Sequence, residues 1–482
     1  MSNAYEPVIG LEVHAQLRTS TKIFCRCSTR FGGAPNTQIC PVCLGLPGAL
    51  PRMNEEALVM AIRAGVSLHC TVNRRSRFSR KHYFYPDLPK GYQITQYQEP
   101  VCSDGHLDVP GADGGARRVR IVRAHLEEDA GKNTHGGGAT GTSEVDLNRA
   151  GVPLLEIVSA PEITSAAEAA EYLRQLRAVL LFAGVNDGNL EDGSFRCDAN
   201  VSVRKRGSQT LGTRVEIKNV NSFRFVQRAL EWEIAQQIAT LMAGGTLKQV
   251  TKTWDDVAAR CHVLRSKEGS DDYRYFDDPD LGPLCIEAPL FERATASLKP
   301  GPAARRQRYV DALGVTAADA RVLTEHPLLA DYFEALVARS GDAKRAANWL
   351  ANIVKPDVKF EGLGARFPVE VEALAGLFAR LDDGSLSQKL AKDVYALMRE
   401  TQRSADAILV EKGWRVVTDV AALEAACDAV IAAHPRQAAE FRAGKKGLIG
   451  FFVGQVMKAT GGQADPKAVD GLLRARLDPA SA

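Results

Sequence analysis

The stretch VIGLEVHAQL, residues 8–17, alternates between apolar and polar side chains. The odd-numbered positions from Ile9 to Leu17 are apolar, and Glu12, His14 and Gln16 lie between them. Because neighbouring side chains on a strand point to opposite faces, this pattern predicts a strand with one face in a core. Its polar face is either an ordinary solvated surface or one wall of a functional site.

Four more segments before residue 295 have strand-like patterns, at residues 117–126, 152–158, 196–204 and 213–220. Two helical patterns interrupt them, at residues 166–184 and 222–245, and Ser222 is a suitable N-cap for the second. This mixture predicts an α+β domain with a mostly antiparallel sheet. After Pro300, Gly301 and Pro302 the pattern becomes helical and stays so to the end.

The chain has 482 residues, more than one hydrophobic core usually serves, so two or three domains are expected. We predict three domains, at residues 1–295, 296–405 and 406–482. There is no apolar run of about 18 residues and no signal-peptide pattern, which predicts a cytoplasmic protein without a membrane span. Residues 434–482 carry eight Lys or Arg against four Asp or Glu, which suits an anionic partner such as RNA or simply a solvated helical tail.

Four of the ten cysteines, Cys25, Cys27, Cys40 and Cys43, form the pattern C-x-C-x12-C-x2-C. Four thiolates make a closed tetrahedral zinc site with no open position, so a zinc here would hold a loop rather than catalyse. The alternatives are two redox-active pairs or four buried thiols.

A basic and aromatic block follows at residues 74–97, where five Lys or Arg occur within eight residues, ahead of His82, Tyr83, Phe84 and Tyr85. Such residues neutralise phosphate and stack on bases, so the block predicts contact with ATP or RNA. The alternative is a solvated strand whose aromatic side chains belong to a core.

Carboxylates are the third signal. Glu127, Glu128 and Asp129 are consecutive, and adjacent carboxylates repel unless a cation such as Mg²⁺ lies between them. On the strand patterns, Glu12 and His14 share one polar face, Asp198 and Arg204 a second, and Glu216 and Lys218 a third. If these strands are neighbours, their polar faces form a site for Mg²⁺ and phosphate; otherwise the acidic segment is a solvated turn.

The run GGGATG at residues 136–141 matches the dinucleotide-binding pattern G-x-G-x-x-G. It follows an acidic segment rather than a strand and does not open a helix, so we interpret it as a hairpin loop. No Walker A motif occurs, so an ATP site in this chain is not a P-loop.

Several long segments resemble the GatB/GatE family, which includes the GatB component of the aspartyl/glutamyl-tRNA(Asn/Gln) amidotransferases. They are GLEVHAQL, PNTQICPVCLGLPGALP, RKHYFYPDLPKGYQI, DLNRAGVPLLEIVS, RCDANVSVR, TRVEIKNVNSF, DYRYF and GFFVGQVMKATGG. The resemblance implies a cradle domain, a helical domain and a YqeY-like tail. It also implies partnership with an amidase subunit and a small subunit, and binding of misacylated tRNA, ATP and Mg²⁺.

In that family, ATP phosphorylates the side-chain carboxylate of Glu-tRNA(Gln) or Asp-tRNA(Asn). Ammonia released from glutamine by the amidase subunit then displaces the phosphate, so the complex is a carbon–nitrogen ligase with glutamine as amido donor. The resemblance implies metal ligands at Glu12, His14, Glu127 and Glu128, with Asp198 and Glu216 added from the strand faces. The resemblance also implies that Lys81 and Tyr83 line the activation pocket. We expect Glu128 to act in catalysis as well, and Lys81, Arg204 and Lys218 to bind the cofactor. The four cysteines match a zinc-bearing branch of the family.

One departure lies at Lys252, where the family usually has Arg; Lys keeps the charge but loses the bidentate fork that suits phosphate.

Two other functions compete with the ligase. A zinc-bearing tRNA-binding scaffold explains the cysteines and the basic segments but not the carboxylates. A metal-dependent phosphohydrolase explains the carboxylates and His14.

Overall fold

The computed structural model describes residues 4–111, 115–135, 142–266, 273–414, 420–460, 464 and 466–478. The chain forms two compact units. The first comprises Met1–Arg308, Thr324–Pro327 and Phe360–Gly364, and the second comprises Tyr309–Leu323, Leu328–Lys359 and Ala365–Ala482. The interpreted hairpin loop at residues 136–141 lies outside the described residues.

Strands dominate the first unit. In chain order they are β1 (Tyr5–Gln16), β2 (Thr71–Val72), β3 (Arg75–Ser76), β4 (Ser79–His82), β5 (Tyr92–Thr95), β6 (Cys102–Pro110), β7 (Ala116–Glu128), β8 (Lys132–His135), β9 (Ser143–Asp146), β10 (Pro153–Ser159), β11 (Phe195–Lys205), β12 (Val215–Val220), β13 (Val250–Asp255), β14 (Arg260–Ser266), β15 (Phe276–Asp277) and β16 (Leu284–Cys285). Strands β17 (Lys359–Glu361) and β18 (Gly364–Arg366) form a separate pair later in the chain.

The main sheet runs in the order β14-β13-β12-β11-β1-β10-β7-β5-β4-β15, and β6 pairs with both β7 and β2. Its described pairings are antiparallel except for β12 with β13. The three strands that carry the mixed polar faces, β1, β11 and β12, are therefore consecutive neighbours. Register places Glu12 opposite Asp198 and Asn200 opposite Glu216.

Helices α2 (Glu55–Ser67), α3 (Ala166–Phe182) and α4 (Phe223–Met242) cover the apolar face of this sheet. Their buried side chains share one core with the apolar positions of β1, such as Ile9 and Val13, which are fully buried. Ser165 and Ser222 cap α3 and α4 by accepting hydrogen bonds from Glu168 N and Phe225 N. With the apolar face covered, the opposite face of the sheet remains for a site.

The other helices of the described residues have at most 14 residues. They are α1 (Pro41–Leu44), α5 (Ala288–Thr295), α6 (Pro302–Asp311), α7 (Ala317–Leu323), α8 (Pro327–Ser340), α9 (Ala343–Trp349), α10 (Val371–Asp382), α11 (Gln388–Thr401), α12 (Ala405–Lys412), α13 (Val420–Ala433), α14 (Pro435–Arg442), α15 (Ile449–Ala459) and α16 (Pro466–Leu477), with a π-helical turn at Leu350–Val354 and 3-10 turns at Lys355–Asp357 and Lys446–Leu448. Within the described ranges, none of the helices combines the length and the hydropathy needed to cross a membrane.

The fold prediction is confirmed: a mostly antiparallel sheet with its own helices is followed by a largely helical region, which is an α+β arrangement. Phe441, Phe452, Val456 and Leu473 belong to a small separate core near the C-terminus. The domain boundaries at residues 295 and 405 remain a prediction.

Candidate functional site

The polar face of the main sheet lines a cleft with a volume of about 490 Å³ in the first unit. Strands β12, β11, β1, β10 and β7 lie side by side beneath it. Eight of the residues selected from the sequence line this cleft: Glu12, His14, Lys81, Tyr83, Glu127, Asp198, Glu216 and Lys218. The assumption that the three polar strand faces converge is therefore correct.

A compact group of three side chains that could bind a metal ion, His14, Glu127 and Glu156, lies in the middle of the cleft. Cross-strand register places Glu156 of β10 between His14 of β1 and His125 of β7. His14 Nε2 lies 3.5 Å from Glu156 Oε2 and 3.8 Å from Glu127 Oε1. Neighbouring and opposite ligands of an octahedral Mg²⁺ are about 3 and 4.2 Å apart, so these three side chains fit one ion. Each offers a ligand atom within 4.8 Å of the other two.

Burial and close charges shift the pKa values of this group, as is common at functional sites. Burial, reinforced by the charge of Glu156, raises the pKa of Glu127 to about 7. Burial opposes protonation of His14, but the hydrogen bond and charge of Glu156, together with Glu127, raise the pKa of His14 to about 9. Burial lowers the pKa of His125 to about 4, so this imidazole stays neutral. Glu127 and Glu156 thus bring two carboxylates to the same histidine, a concentration of negative charge that a cation relieves.

The metal affinity of this group depends on pH. We expect binding of Mn²⁺, a spectroscopic substitute for Mg²⁺, to strengthen steadily from about pH 6 to about pH 9, because the protons of Glu127 and His14 must leave first. Affinity measured by electron paramagnetic resonance across this range tests the prediction. A Glu127→Gln variant provides the control, because one titrating ligand is lost. A flat profile in the unaltered protein contradicts the assignment.

Positive groups and aromatic rings surround the carboxylates. Lys81, Arg123 and Arg214 line the cleft and form no ion pair with a carboxylate in the described part of the chain. Lys81 Nζ lies over the rings of Tyr273 and Tyr83, 4.8 Å and 5.6 Å from their centroids. Unpaired cations next to a metal-binding group suit a polyphosphate.

The cluster around Glu12 is already neutralised in part. Lys218 Nζ bonds Asp198 and lies 3.3 Å from Glu216 Oε1. Glu12 Oε1 accepts a hydrogen bond of 2.9 Å from Asn200 Nδ2, and burial with the charges of Glu156 and Asp198 raises the pKa of Glu12. Lys218 therefore pairs with carboxylates of β11 and β12, whereas Lys81 pairs with no carboxylate in the described part of the chain.

Two of the selected residues do not line the cleft. Glu128 is the last residue of β7, and a strand points adjacent side chains to opposite faces, so it faces away from Glu127 and bonds Lys90. The prediction that Glu127 and Glu128 hold one ion together is wrong for this reason. Arg204 lies near the far end of β11 and pairs with Glu6, with 2.8 Å between Nε and Oε1, instead of reaching a phosphate in the cleft.

Several cleft residues were not selected from the sequence: Arg123, His125, Glu156, Tyr273 and Tyr275. Glu156 is the most consequential omission. The segment VPLLEIV is a buried apolar run typical of a central strand, and a single carboxylate within such a run is the signal that was available. Tyr273 and Tyr275 belong to the motif DYRYF, whose only signal was the family resemblance.

The four cysteines Cys25, Cys27, Cys40 and Cys43 converge in a second place in the same unit. Their sulfur atoms all lie within 4.8 Å of one another, and Cys43 Sγ is 3.6 Å from Cys25 Sγ and 3.8 Å from Cys40 Sγ. Tetrahedral zinc with bonds of about 2.3 Å separates its sulfur ligands by about 3.8 Å, so the cluster can bind a metal such as zinc. The buried Lys22 donates to Cys43 Sγ at 3.4 Å, which offsets the negative charge of thiolates.

Lys252 takes no part in the cleft. Its ammonium lies 2.7 Å from Glu233 Oε2, and Glu233 is almost fully buried on α4. We expect Lys252→Met to destabilise the first unit by about 3–5 kcal/mol, since it leaves the buried carboxylate of Glu233 without its charged partner and with only the hydrogen bond from Gln237 Nε2. Urea unfolding of Lys252→Met and of the double variant Lys252→Met/Glu233→Leu is the measurement. Equal stability of the single variant and the unaltered protein contradicts a structural role for this pair.

Comparison with known proteins agrees with this arrangement. Residues 7–292 match the model of the GatB/GatE catalytic domain, and residues 331–477 match that of the GatB domain. Three similar proteins, each named as the B component of an aspartyl/glutamyl-tRNA(Asn/Gln) amidotransferase, come from Syntrophotalea carbinolica, Thermosynechococcus vestitus and Geobacter sulfurreducens. They are 49%, 48% and 50% identical, and the alignments cover 99%, 100% and 98% of this chain and 99%, 98% and 99% of theirs. The chain therefore belongs to the GatB/GatE family.

Proposed function

We propose that this chain is the GatB component of a tRNA-dependent amidotransferase, which phosphorylates the side-chain carboxylate of Glu-tRNA(Gln) or Asp-tRNA(Asn) with ATP. Ammonia then displaces the phosphate to give Gln-tRNA(Gln) or Asn-tRNA(Asn). The convergence of His14, Glu127 and Glu156 beside the unpaired Lys81 carries this proposal. The names of the three similar proteins describe amidotransferases that act on aspartyl- and glutamyl-tRNA.

The chemistry requires positioning and charge neutralisation rather than a protein nucleophile. The nucleophile is the carboxylate of the aminoacyl group, which is already ionised, so the first step needs no general base. Its oxygen attacks the γ-phosphorus, the bond to the β–γ bridging oxygen breaks, and ADP leaves. Lys81, Arg123 and Arg214 neutralise charge on the transferred phosphoryl group.

His14, Glu127 and Glu156 would hold Mg²⁺, with Glu12 nearby. That ion supplies charge neutralisation and orientation for the phosphates of ATP. Burial raises the pKa of Tyr83, so its phenol stays protonated and serves as a hydrogen-bond donor in the pocket. Glu128 and Arg204 are outside the cleft, so we assign neither of them to the reaction.

In the second step the ammonia nitrogen attacks the activated carbonyl carbon, and inorganic phosphate leaves as the amide forms. An amidase subunit that hydrolyses glutamine would supply the ammonia, with a small third subunit completing the complex. We assign ATP and acceptor-end binding to a cradle domain at residues 1–295. A helical domain follows at 296–405, and a tRNA-binding tail extends from 406 to 482. Zinc at the four cysteines would stabilise the cradle.

The test is co-expression with an amidase subunit and a small subunit, followed by assays on Glu-tRNA(Gln) and Asp-tRNA(Asn). We expect formation of ADP and phosphate only when misacylated tRNA is present, together with amidated aminoacyl-tRNA. Ammonium chloride should replace glutamine, because ammonia is the nucleophile of the second step and glutamine serves only as its source.

The two competing functions give other results. A tRNA-binding scaffold would bind tRNA without consuming ATP. A phosphohydrolase would release phosphate from simple phosphoesters in the absence of tRNA. Either outcome contradicts the proposed ligase.

A further inference from the structure

Glu128 lies outside the cleft, but both of its carboxylate oxygens accept hydrogen bonds. Its carboxylate is almost completely buried and receives Lys90 Nζ on both oxygens at 2.5 Å. Oε1 also accepts a hydrogen bond of 2.9 Å from Ile94 N. A buried carboxylate with this many charged and polar donors is held in one position.

These contacts fix the strand that supports Glu127. Ile94 belongs to β5, and the next residue, Thr95, donates from Oγ1 to Glu127 Oε2 at 3.2 Å. Gln93 on the same strand donates from Nε2 to the backbone oxygen of Glu128 at 2.8 Å. Glu128 therefore holds β5 in the register at which Thr95 orients the carboxylate of Glu127.

Lys90, the other member of this ion pair, lies against the segment that carries the four cysteines, residues 25–45, which we call the cysteine loop. Gly45 follows α1, two residues after Cys43, in a left-handed conformation with φ of 64°. A Cβ atom placed on Gly45 would lie 2.4 Å from Lys90 Cγ and 3.1 Å from Lys90 Cα. The backbone at the end of the cysteine loop thus packs directly on the aliphatic part of Lys90.

We propose that the Lys90–Glu128 pair is a positioning element that links the cysteine loop to Glu127, so that an intact loop preorganises the metal site of the cleft. The inference rests on the proposed function, because it takes Glu127 as a metal ligand. Contacts run from Cys43 through Gly45 and Lys90 to Glu128, and from there through β5 to Glu127. Partners behind a ligand typically change metal affinity about 10–100-fold when they are removed.

The experiment measures Mn²⁺ affinity by electron paramagnetic resonance in the assembled complex, with zinc content determined in parallel. We expect Glu128→Gln to weaken Mn²⁺ binding about tenfold while zinc content stays unchanged. Lys90→Met should do the same, because it removes the ammonium and keeps the apolar contact with Gly45. This second variant serves as the test if Glu128→Gln does not fold.

Two matched controls test whether the effect on Mn²⁺ affinity passes through Lys90 and Glu128. Glu6→Gln removes an ion pair from the same sheet but outside the cleft, and it should leave Mn²⁺ affinity unchanged. Gly45→Ala should weaken Mn²⁺ binding through Lys90. Gly48→Ala carries the same left-handed strain, with φ of 82°, but a Cβ there meets no atom within 4 Å, so affinity should stay unchanged.

The last variants of the experiment alter the cysteine loop. We expect Cys43→Ser to weaken Mn²⁺ binding and Glu128→Gln to add little in the double variant, because both act on one path. Unchanged affinity in Glu128→Gln and Lys90→Met, or fully additive effects with Cys43→Ser, overturns the inference. If the unaltered complex binds Mn²⁺ and Glu127→Gln does not weaken it, the proposed function fails instead.

Discussion

Replacing Glu127 with glutamine is expected to reduce ATP-dependent amidation by a factor of at least about one hundred, since the change removes a proposed metal ligand and its charge. Glutamine keeps the size of the side chain and can still accept from Thr95, so the cleft should keep its shape. Single-turnover amidation by the assembled complex is the measurement. ATP consumption should fall with it, because in the proposed mechanism the phosphoryl transfer precedes formation of the amide.

Binding of tRNA serves as the control for this variant. Glu127 is almost fully buried at the base of the cleft, so its replacement should leave the affinity for tRNA unchanged. A scaffold function predicts unchanged behaviour in both assays. Amidation at the normal rate by Glu127→Gln would remove this residue from the proposed site.

Replacing Cys43 with serine is expected to reduce the zinc content of the chain to background and to lower the thermal unfolding midpoint. Cys43 Sγ lies within 3.8 Å of the sulfur atoms of Cys25 and Cys40, and Lys22 donates a hydrogen bond to it. Structural zinc contributes roughly 10–16 kcal/mol of apparent binding free energy in small zinc domains, so a loop that depends on it unfolds when a ligand is lost. Metal analysis by mass spectrometry and calorimetric unfolding of the same preparations test both effects.

Cys285→Ser provides the matched control, because Cys285 is exposed and lies outside the cluster. We expect its zinc content and midpoint to equal those of the unaltered protein. Unaltered protein that contains no zinc, and forms disulfides among these cysteines in air, would support the redox interpretation instead.

Much of the fold could be predicted from local patterns. Alternation between Ile9 and Leu17 identified β1, and the N-cap Ser222 marked the start of α4. Both signals work because burial and capping depend on residues close together in the chain. The cysteine spacing identified the four sulfur atoms that converge, since C-x2-C at a short helix such as α1 directs two thiols to one point.

The candidate site was predicted only in part. Glu127 and Glu128 were grouped because they are adjacent in the sequence, whereas the pleat of β7 sends them to opposite faces. Glu156 was omitted because its neighbours Leu155 and Ile157 are buried, as in any central strand. Its relevance appears only when β10 is placed between β1 and β7, with His14 on one side and His125 on the other.

The sequence by itself determined the strands β1, β7, β10, β11 and β12 and the helices α3 and α4. It also determined the polar face of Glu12 and His14 and the cysteine cluster, because each of these depends on short-range periodicity or spacing. The tertiary structure alone decided which polar faces meet. Strand order brings Glu156 to His14 across more than a hundred residues of chain, and it gives Glu128 a place behind the site beside Lys90. No local pattern contains strand order, since it results from packing the whole sheet against its helices.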